Sequence, residues 1–326
     1  MLHEAVEALS VKQNALYIDG TLGGGGHTQE ILSRGGSVLA IDRDLDAINN
    51  ATQRFSINLQ SPTTTSPMLI HGNFKDVFKQ LISLKKVNAA HGKTHTQPCS
   101  QYRELLPHID CIKGIILDLG VSSHQIDEKN RGFSYMADAA IDMRMDNSAD
   151  TISAFDIVNS YTEDKLLKIL YEYGEEKNAK KIVRAIIAAR AAAQITTTRQ
   201  LSELIIKCFP PFVKGGHPAK RTFQALRIEV NRELDALDTA LIDALDLLKT
   251  GGRLAVITFH SLEDRIVKNT FKHLAEDCIC NKSIPICICN NAPKVRQINK
   301  GTKPSVEELQ KNLRAKSATL RVVEKL

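Results

Sequence analysis

The sequence predicts an α/β fold: a doubly wound, mostly parallel sheet with an α-helical domain inserted after its fourth strand. Three observations predict it. Short β-rich apolar runs alternate with helical patterns through the first 120 residues. These runs are unbroken rather than alternating, as strands covered on both faces require. The next run of that quality comes only at Arg253–Phe259, 135 residues beyond Asp118, and amphipathic helical patterns fill the gap.

The elements follow in order. Leu16–Asp19 is the first strand, followed by glycines and a helix from about Thr28 to Ser33. Ser37–Asp42 is the second, with a helix opened by Asp44 and running towards Phe55. Met68–His71 is the third and Ile112–Leu119 the fourth. Between the third helix and the fourth strand, Asn88–His108 is polar and lacks apolar periodicity, so a surface loop is expected. Inside the gap, helices are expected at Glu163–Tyr173, Glu175–Ala193, Thr198–Cys208 and Phe223–Leu248, with spacing such as Ile182, Ile186 and Ile187. The turn Gly251-Gly252 leads into the fifth strand. Val295–Ile298 and Thr319–Val323 read as an antiparallel pair closing the sheet edge. The expected boundaries are 1–126 and 223–326 for the sheet domain, the second part carrying a basic tail, and 127–222 for the helical insert.

With 43% hydrophobic and 25% charged residues over 326 positions, the chain has the balance of a globular protein able to bury a large core. No stretch approaches the roughly 20 apolar residues of a membrane span. Met1–Leu16 carries Glu4 and Glu7 and no apolar h-region, so it reads as neither signal nor transit peptide. Seven cysteines is an odd number, and Cys99, Cys111 and Cys208 are scattered. That is no disulfide framework, and a reducing, cytoplasmic location is expected. The net charge of +6 is unevenly spread: −4 over 1–159, +5 over 160–235, −2 over 236–281 and +7 over 282–326. An acidic front half followed by basic segments suggests a small-molecule site and then surfaces for a polyanion. Two solvated basic faces are the plainer alternative.

Asp19-Gly20-Thr21-Leu22-Gly23-Gly24-Gly25-Gly26-His27 falls at the first strand-to-helix turn. Glycines there let a ligand approach the backbone, and the helix start offers unpaired N–H groups. Asp42 ends the second strand, 16 residues after Gly26, where a carboxylate can accept both hydroxyls of a ribose. Dinucleotides and S-adenosyl-L-methionine both use such a layout. With Gly23 and Gly25 as the first two glycines of a G-x-G-x-x-G frame, Thr28 stands where the third would fall. His27 is also bulky for a pyrophosphate cradle. The loop therefore favours a methionine tail, which has no phosphate, over a dinucleotide or a merely structural turn.

At this point the motifs are specific. Tyr17–His27, Ile116–Ser123, Arg131–Ser134, Asp142–Asp146, His217–Ala219 with Arg221–Ile228, and Phe259–Arg265 together resemble the RsmH (MraW) family. The resemblance covers nearly the whole chain in the right order. It implies a class I methyltransferase fold, Rossmann-like, with an inserted helical domain. It also implies methylation of the exocyclic N4 amine of one cytidine in small-subunit ribosomal RNA, at the decoding P site. Implied cofactor contacts are Gly24, Gly25, Gly26, His27, Asp42, Phe74, Asp118 and Gln125. Two departures stand out: the family's His-x-Pro-Val start has no counterpart here, and Ala139-Ala140 replaces Gly-Pro.

A cytosine amine is a poor nucleophile, so the site must align it with the methyl group and accept its hydrogen. Asp118, at the carboxyl end of the fourth strand, is the candidate acceptor together with Ser122 and Ser123; cofactor positioning is its other reading. The Asn/Asp-Pro-Pro-aromatic signature of many amine methyltransferases is not present at this position. Phe74 can pack on an adenine ring or belong to the core. Asp142, a further catalytic candidate, alternates with methionines alongside Arg144 and Asp146, and reads as a substrate-pocket wall or a salt-bridged segment. Lys214, His217, Lys220, Arg221 and Arg227 cluster in a way that suits RNA phosphates. Asn231 is expected at a base edge. His260 is either a ligand or a structural histidine.

Cys278-Ile279-Cys280 and Cys287-Ile288-Cys289 form paired Cys-x-Cys motifs, open to three readings: zinc, reduced thiols in a hairpin, or redox chemistry. No metal ligand is assigned on sequence. The expected cofactor is S-adenosyl-L-methionine and the expected partner small-subunit ribosomal RNA or the assembled subunit, with no membrane. A homodimer is compatible with the sequence, which leaves oligomeric state open. Two rival readings remain, an RNA-binding assembly factor without catalysis and a dinucleotide-dependent oxidoreductase.

Overall fold

The computed structural model describes residues 1–58, 66–91, 106–147, 151–210, 216–281 and 288–326. They form two compact units, Met1–Gly120 with Ala236–Leu326, and Val121–Asp235. In chain order the first unit opens with α1 (Leu2–Leu9), β1 (Leu16–Asp19), α2 (Gly26–Ser33), β2 (Ser37–Asp42), α3 (Leu45–Asn58), β3 (Met68–His71), α4 (Phe74–His91) and β4 (Ile112–Asp118). The second unit holds α5 (Ser123–Asp127), α6 (Ala154–Ser160), α7 (Glu163–Glu172), α8 (Ala179–Ala192), α9 (Thr198–Ile206) and α10 (Lys220–Asn231). The chain then returns to the first unit with α11 (Leu237–Leu247), β5 (Arg253–Thr258), α12 (Ser261–Leu274), β6 (Val295–Thr302), α13 (Val306–Lys311) and β7 (Thr319–Lys325).

The strands of the first unit make one sheet in the order β3-β2-β1-β4-β5-β7-β6. From β3 to β5 all pairs are parallel, whereas β7 is antiparallel to both β5 and β6. Successive side chains on a strand point to opposite faces. Ile18, Leu39, Ile115 and Leu254 accordingly join one core with Phe78 of α4, Leu241 of α11 and Phe271 of α12. Their neighbours Tyr17, Ala40, Ile116 and Ala255 join another with Val6 of α1, Ile31 of α2 and Phe55 of α3. Burial on both faces is the reason these strands are apolar without a break. The order reverses between β1 and β4, and the crevice outside their carboxyl ends is where doubly wound sheets take ligands.

The second unit packs its helices around a core of its own that includes Ile157, Leu166, Ile182, Leu201 and Phe223. Ser153, Thr162 and Thr197 cap α6, α7 and α9 through their side-chain oxygens.

Three local expectations are corrected. The helix expected over 223–248 is two helices, α10 and α11, separated where Arg232 (φ 48°) and Ala236 (φ 53°) turn left-handed. The helix expected from Glu175 starts only at Ala179, because Glu175 itself has φ 45°. α4 runs to His91, past the Asn88 start of the expected loop, and a 3-10 turn covers Leu106–Cys111. The rest of that loop, 92–105, lies outside the described residues. α1 had no sequence assignment, although Leu2, Ala5, Val6 and Leu9 carry helical spacing and the last three are buried. The expected domain borders fell at 126/127 and 222/223; the units divide at 120/121 and 235/236, which keeps α10 whole. No helix among the described residues is long and apolar enough to cross a membrane.

Candidate active site

The glycine turn after β1 is tied to the neighbouring strand ends. Thr21 Oγ1 accepts the Asp118 backbone N–H at 2.6 Å, which joins the turn to β4. Leu22 N–H donates to Ile41 O at 2.9 Å and Gly23 N–H to Asp42 Oδ2 at 2.7 Å, which joins it to β2. Gly25, at φ 74°, is the N-cap of α2, a left-handed position that suits glycine. Arg54 of α3 reaches back to the Gly24 carbonyl and the Gln29 side chain.

The glycines do different jobs. A Cβ at Gly20 would crowd Leu117 Cδ2, so alanine there would force that core side chain to shift. A Cβ at Gly24 or Gly26 would meet nothing within 4 Å. Those two glycines border open space at the start of α2, where a ligand can reach unpaired backbone N–H groups.

Three carboxylates end β1, β2 and β4. Asp19 is fully buried; its Oδ2 accepts from Thr28 Oγ1 at 2.8 Å and its Oδ1 from Thr21 N–H at 3.2 Å. Burial pushes it up to about 6 against the lowering effect of those bonds, with the Asp42 charge adding to the rise. Asp42 accepts one backbone N–H on each oxygen, from Gly23 at 2.7 Å and Asp44 at 2.8 Å, and burial raises its pKa. Both bonds fix the carboxylate plane and leave a further lone pair on each oxygen, the disposition a vicinal diol needs. Asp118 has one oxygen turned inward, Oδ1, buried and without a hydrogen-bond partner among the described residues. Its Oδ2 lies 4.0 Å from His27 Nδ1, and the side chain is one-third exposed. Burial, reinforced by the Asp19 charge, pushes Asp118 up to about 7.

His27 sits in the first turn of α2 with a buried Nε2 that has no partner among the described residues. Burial holds its pKa down at about 4, so the imidazole is neutral at physiological pH. Phe74 opens α4; its ring centroid is 5.7 Å from that of Phe78, and it packs against the core while remaining partly exposed. Its core reading accounts for the Phe78 contact, and part of the ring is left accessible. His260 follows β5 and is the N-cap of α12: its Nδ1 accepts from Glu263 N–H at 3.4 Å while Glu263 Oε2 accepts from His260 N–H at 3.4 Å. That is a structural capping box.

In the second unit Ser122 and Gln125 form another capping box, with Ser122 N–H donating to Gln125 Oε1 at 3.0 Å and Gln125 N–H to Ser122 Oγ at 3.2 Å. Arg144 lies bidentate on Asp142 at 2.9 and 2.8 Å, and these bonds outweigh burial to hold Asp142 below the usual carboxylate range. Arg227 is likewise bidentate, on Glu233 at 2.8 and 2.9 Å. Asn231 is buried; its Oδ1 accepts from Met145 N–H at 2.8 Å, while its Nδ2 donates to Met143 O at 2.7 Å and Arg227 O at 2.9 Å. The amide expected at a base edge instead fixes the 143–145 segment, where Met143 has φ 62°. Lys220 and Arg221 are exposed at the start of α10, with Arg221 donating to Glu175 O at 2.7 Å. The His217 ring stacks on Tyr135 at 4.5 Å. Lys214 lies outside the described residues.

Three residues carry more of these sites than their sequence positions disclosed. Thr21 and Thr28 brace Asp118 and Asp19, and buried Arg131 donates to the carbonyls of Arg144 at 3.1 Å and Met145 at 2.9 Å. A polar residue flanking the glycines was the available signal for the threonines. Nothing in the spacing marked Arg131 as buried.

A sheet of this order with a glycine turn after β1 and acids ending β1, β2 and β4 defines a class I methyltransferase fold. The chain belongs to the MraW methylase family, whose profile matches residues 1–326. It is 45% identical over 331 residues to the ribosomal RNA small subunit methyltransferase H of Clostridium botulinum (strain Kyoto / Type A2), covering 100% of this chain and 97% of that protein. The protein of the same name from Clostridioides difficile (strain 630) is 44% identical over 332 residues, with the same coverage of 100% and 97%. Among solved structures, an rRNA methylase from Streptococcus thermophilus covers 99% of this chain and 95% of its own, at 12% identity and a TM-score of 0.37.

Proposed function

We propose that this chain methylates the exocyclic N4 amine of a cytidine in small-subunit ribosomal RNA, at the decoding P site, with S-adenosyl-L-methionine as donor. One observation carries the chemistry: Asp118 ends β4 beside the glycine turn with a buried oxygen that has no partner among the described residues, and burial pushes its pKa up to about 7. The names of the relatives, small-subunit ribosomal RNA methyltransferases, support the substrate class.

The residues present fit the donor. Gly24 and Gly26 leave room against the backbone, Asp42 holds two oxygens ready for a ribose diol, and Phe74 offers a partly exposed ring to an adenine. Neutral His27 adds a polar edge without a positive charge that would repel a sulfonium. When bound, the donor supplies an electrophilic methyl group. Formation of the new N–C bond leaves the amine nitrogen with a proton to lose, and ionised Asp118 is its acceptor. Gln125 and Ser122 shape the start of the second unit through their capping box, and Asp142 holds Arg144 in place. Exposed Lys220 and Arg221 are the cations of α10 suited to phosphate contacts. The base must leave its stack to reach the methyl group.

The test is transfer of labelled methyl from the donor to small-subunit particles lacking the modification, with nucleosides then identified by mass spectrometry. N4-methylated cytidine that disappears with Asp42→Ala is the expected result. Label in another nucleoside, or donor binding with no transfer, overturns the substrate assignment; no donor binding overturns the whole reading.

A further inference from the structure

The chain between α12 and β6 makes an excursion whose ends are held together. Lys294 N–H donates to Leu274 O at 2.8 Å, and Asn291 Nδ2 donates to Glu276 O at 2.6 Å. Beyond that base residues 278–280 lie against residues 288–289. Ile279, between Cys278 and Cys280, donates its backbone N–H to Cys289 Sγ at 3.4 Å. Ile288 reciprocates, donating to Cys280 Sγ at 3.4 Å. The sulfurs of Cys278, Cys280 and Cys289 all lie within 4.8 Å of one another, and those of Cys278 and Cys289 are 3.9 Å apart. Cys287 lies outside the described residues.

We propose that Cys278, Cys280 and Cys289 bind a zinc ion that staples this excursion. Three features support thiolate ligation over the alternatives. A tetrahedral zinc with Zn–S bonds of about 2.3 Å sets its sulfurs about 3.8 Å apart, close to the Cys278–Cys289 spacing. Backbone N–H groups aimed at sulfur stabilise a ligating thiolate and orient it, the supporting role such bonds play around metals. The apolar residues also point the wrong way for an ordinary hairpin: Ile279 is 53% and Ile288 71% exposed while Cys280 and Cys289 are turned partly inward. A segment held by apolar packing would bury the isoleucines. One held by a metal has no need to. The cluster belongs to the first unit and is independent of the methyl-transfer chemistry. Zinc binding displaces the protons of whichever thiols are not already ionised, and no redox change is involved.

The full chain, prepared without a histidine tag or chelator, is assayed for metal by mass spectrometry. About one zinc per chain is expected, and cobalt substituted for it should give intense sulfur-to-metal absorption with tetrahedral visible bands. Cys280→Ser and Cys289→Ser should lose the metal, whereas Cys111→Ser, an exposed cysteine elsewhere in the unit, should keep it. Should the serine variants fold poorly, wild-type protein stripped by a chelator and returned to zinc supplies the same answer. Reduced wild-type protein that takes up neither zinc nor cobalt overturns the proposal. So does a Cys278–Cys289 disulfide in protein alkylated directly at lysis.

Discussion

Replacing Asp118 with asparagine removes the one ionisable oxygen pair at the end of β4 while keeping the side chain's size. An unshifted aspartate is fully ionised above about pH 5. Burial instead brings Asp118 to about 7, so its ionised fraction grows across the neutral range. An acceptor must be ionised, so the sign is fixed: activity rises with pH. Between pH 6 and pH 8 the ionised fraction goes from about one-tenth to about nine-tenths, and kcat/KM should rise roughly tenfold. His27 does not confuse the profile, because burial holds it near 4 and it stays neutral throughout. Asp19 does contribute: its buried negative charge helps raise Asp118, so Asp19→Asn should move the rising limb to lower pH. The assay is single-turnover methyl transfer to small-subunit particles at constant ionic strength. Asp118→Asn should flatten the limb and lower kcat by about 10²- to 10⁴-fold. A wild-type profile flat from pH 6 to 8 refutes the reasoning. An Asp118→Asn enzyme with normal kcat and a raised KM for the donor also refutes it, leaving Asp118 as a positioning residue.

Three further outcomes follow from the same geometry. Asp19 has a folded pKa of about 6, above its unfolded value, so its contribution to stability is present below pH 4 and lost as pH rises through 6. That difference is worth about 3 kcal/mol, and urea titrations should show the stability gap between Asp19→Asn and wild type opening by that order between pH 4 and 7; a constant gap argues against it. Gly20→Ala should cost about 1–3 kcal/mol through overpacking on Leu117. Gly24→Ala should leave the melting temperature unchanged yet weaken donor binding by calorimetry, and equal losses of stability in both variants would contradict the division between them. Asn231→Ala leaves Met145 N–H and Met143 O without their partner and should destabilise by about 2–4 kcal/mol in chemical denaturation; a loss below about 1 kcal/mol would show the clamp to be dispensable.

The sheet was legible because burial on both faces leaves a signal in every residue of a strand. Ile115, Ile116 and Leu117 alternate between two cores, so at these positions both faces are apolar. The glycine turn was legible for a related reason: a strand end followed by glycines fixes where the backbone must bend. Helix breaks were harder. Arg232 and Ala236 adopt left-handed conformations without glycine or asparagine, so the pattern from Phe223 to Leu248 looks continuous. In α1 the spacing was present but short, and eight residues give too few turns to stand out.

The site divides along the same line. Residues placed by the backbone they sit on came to the expected positions: Gly24 in the turn after β1, Asp42 and Asp118 at the ends of β2 and β4. Residues whose role depends on a partner did not declare it. Arg144 and Arg227 count as cations in the sequence, yet each is bidentate on a carboxylate and carries its charge in a pair. Asn231 finds its partners 86 and 88 positions away. Net charge therefore overstates what α10 offers to a polyanion, which reduces to exposed side chains such as Lys220 and Arg221. The correction works in the other direction for the acidic front half. Its count of −4 treats Asp19 and Asp118 as fully ionised, whereas burial keeps a fraction of both protonated near neutrality. An acidic site of this kind repels a phosphate backbone less than its formal charge suggests. At a pKa of about 7 Asp118 is partly ionised at neutral pH, the state the proposed proton acceptance needs.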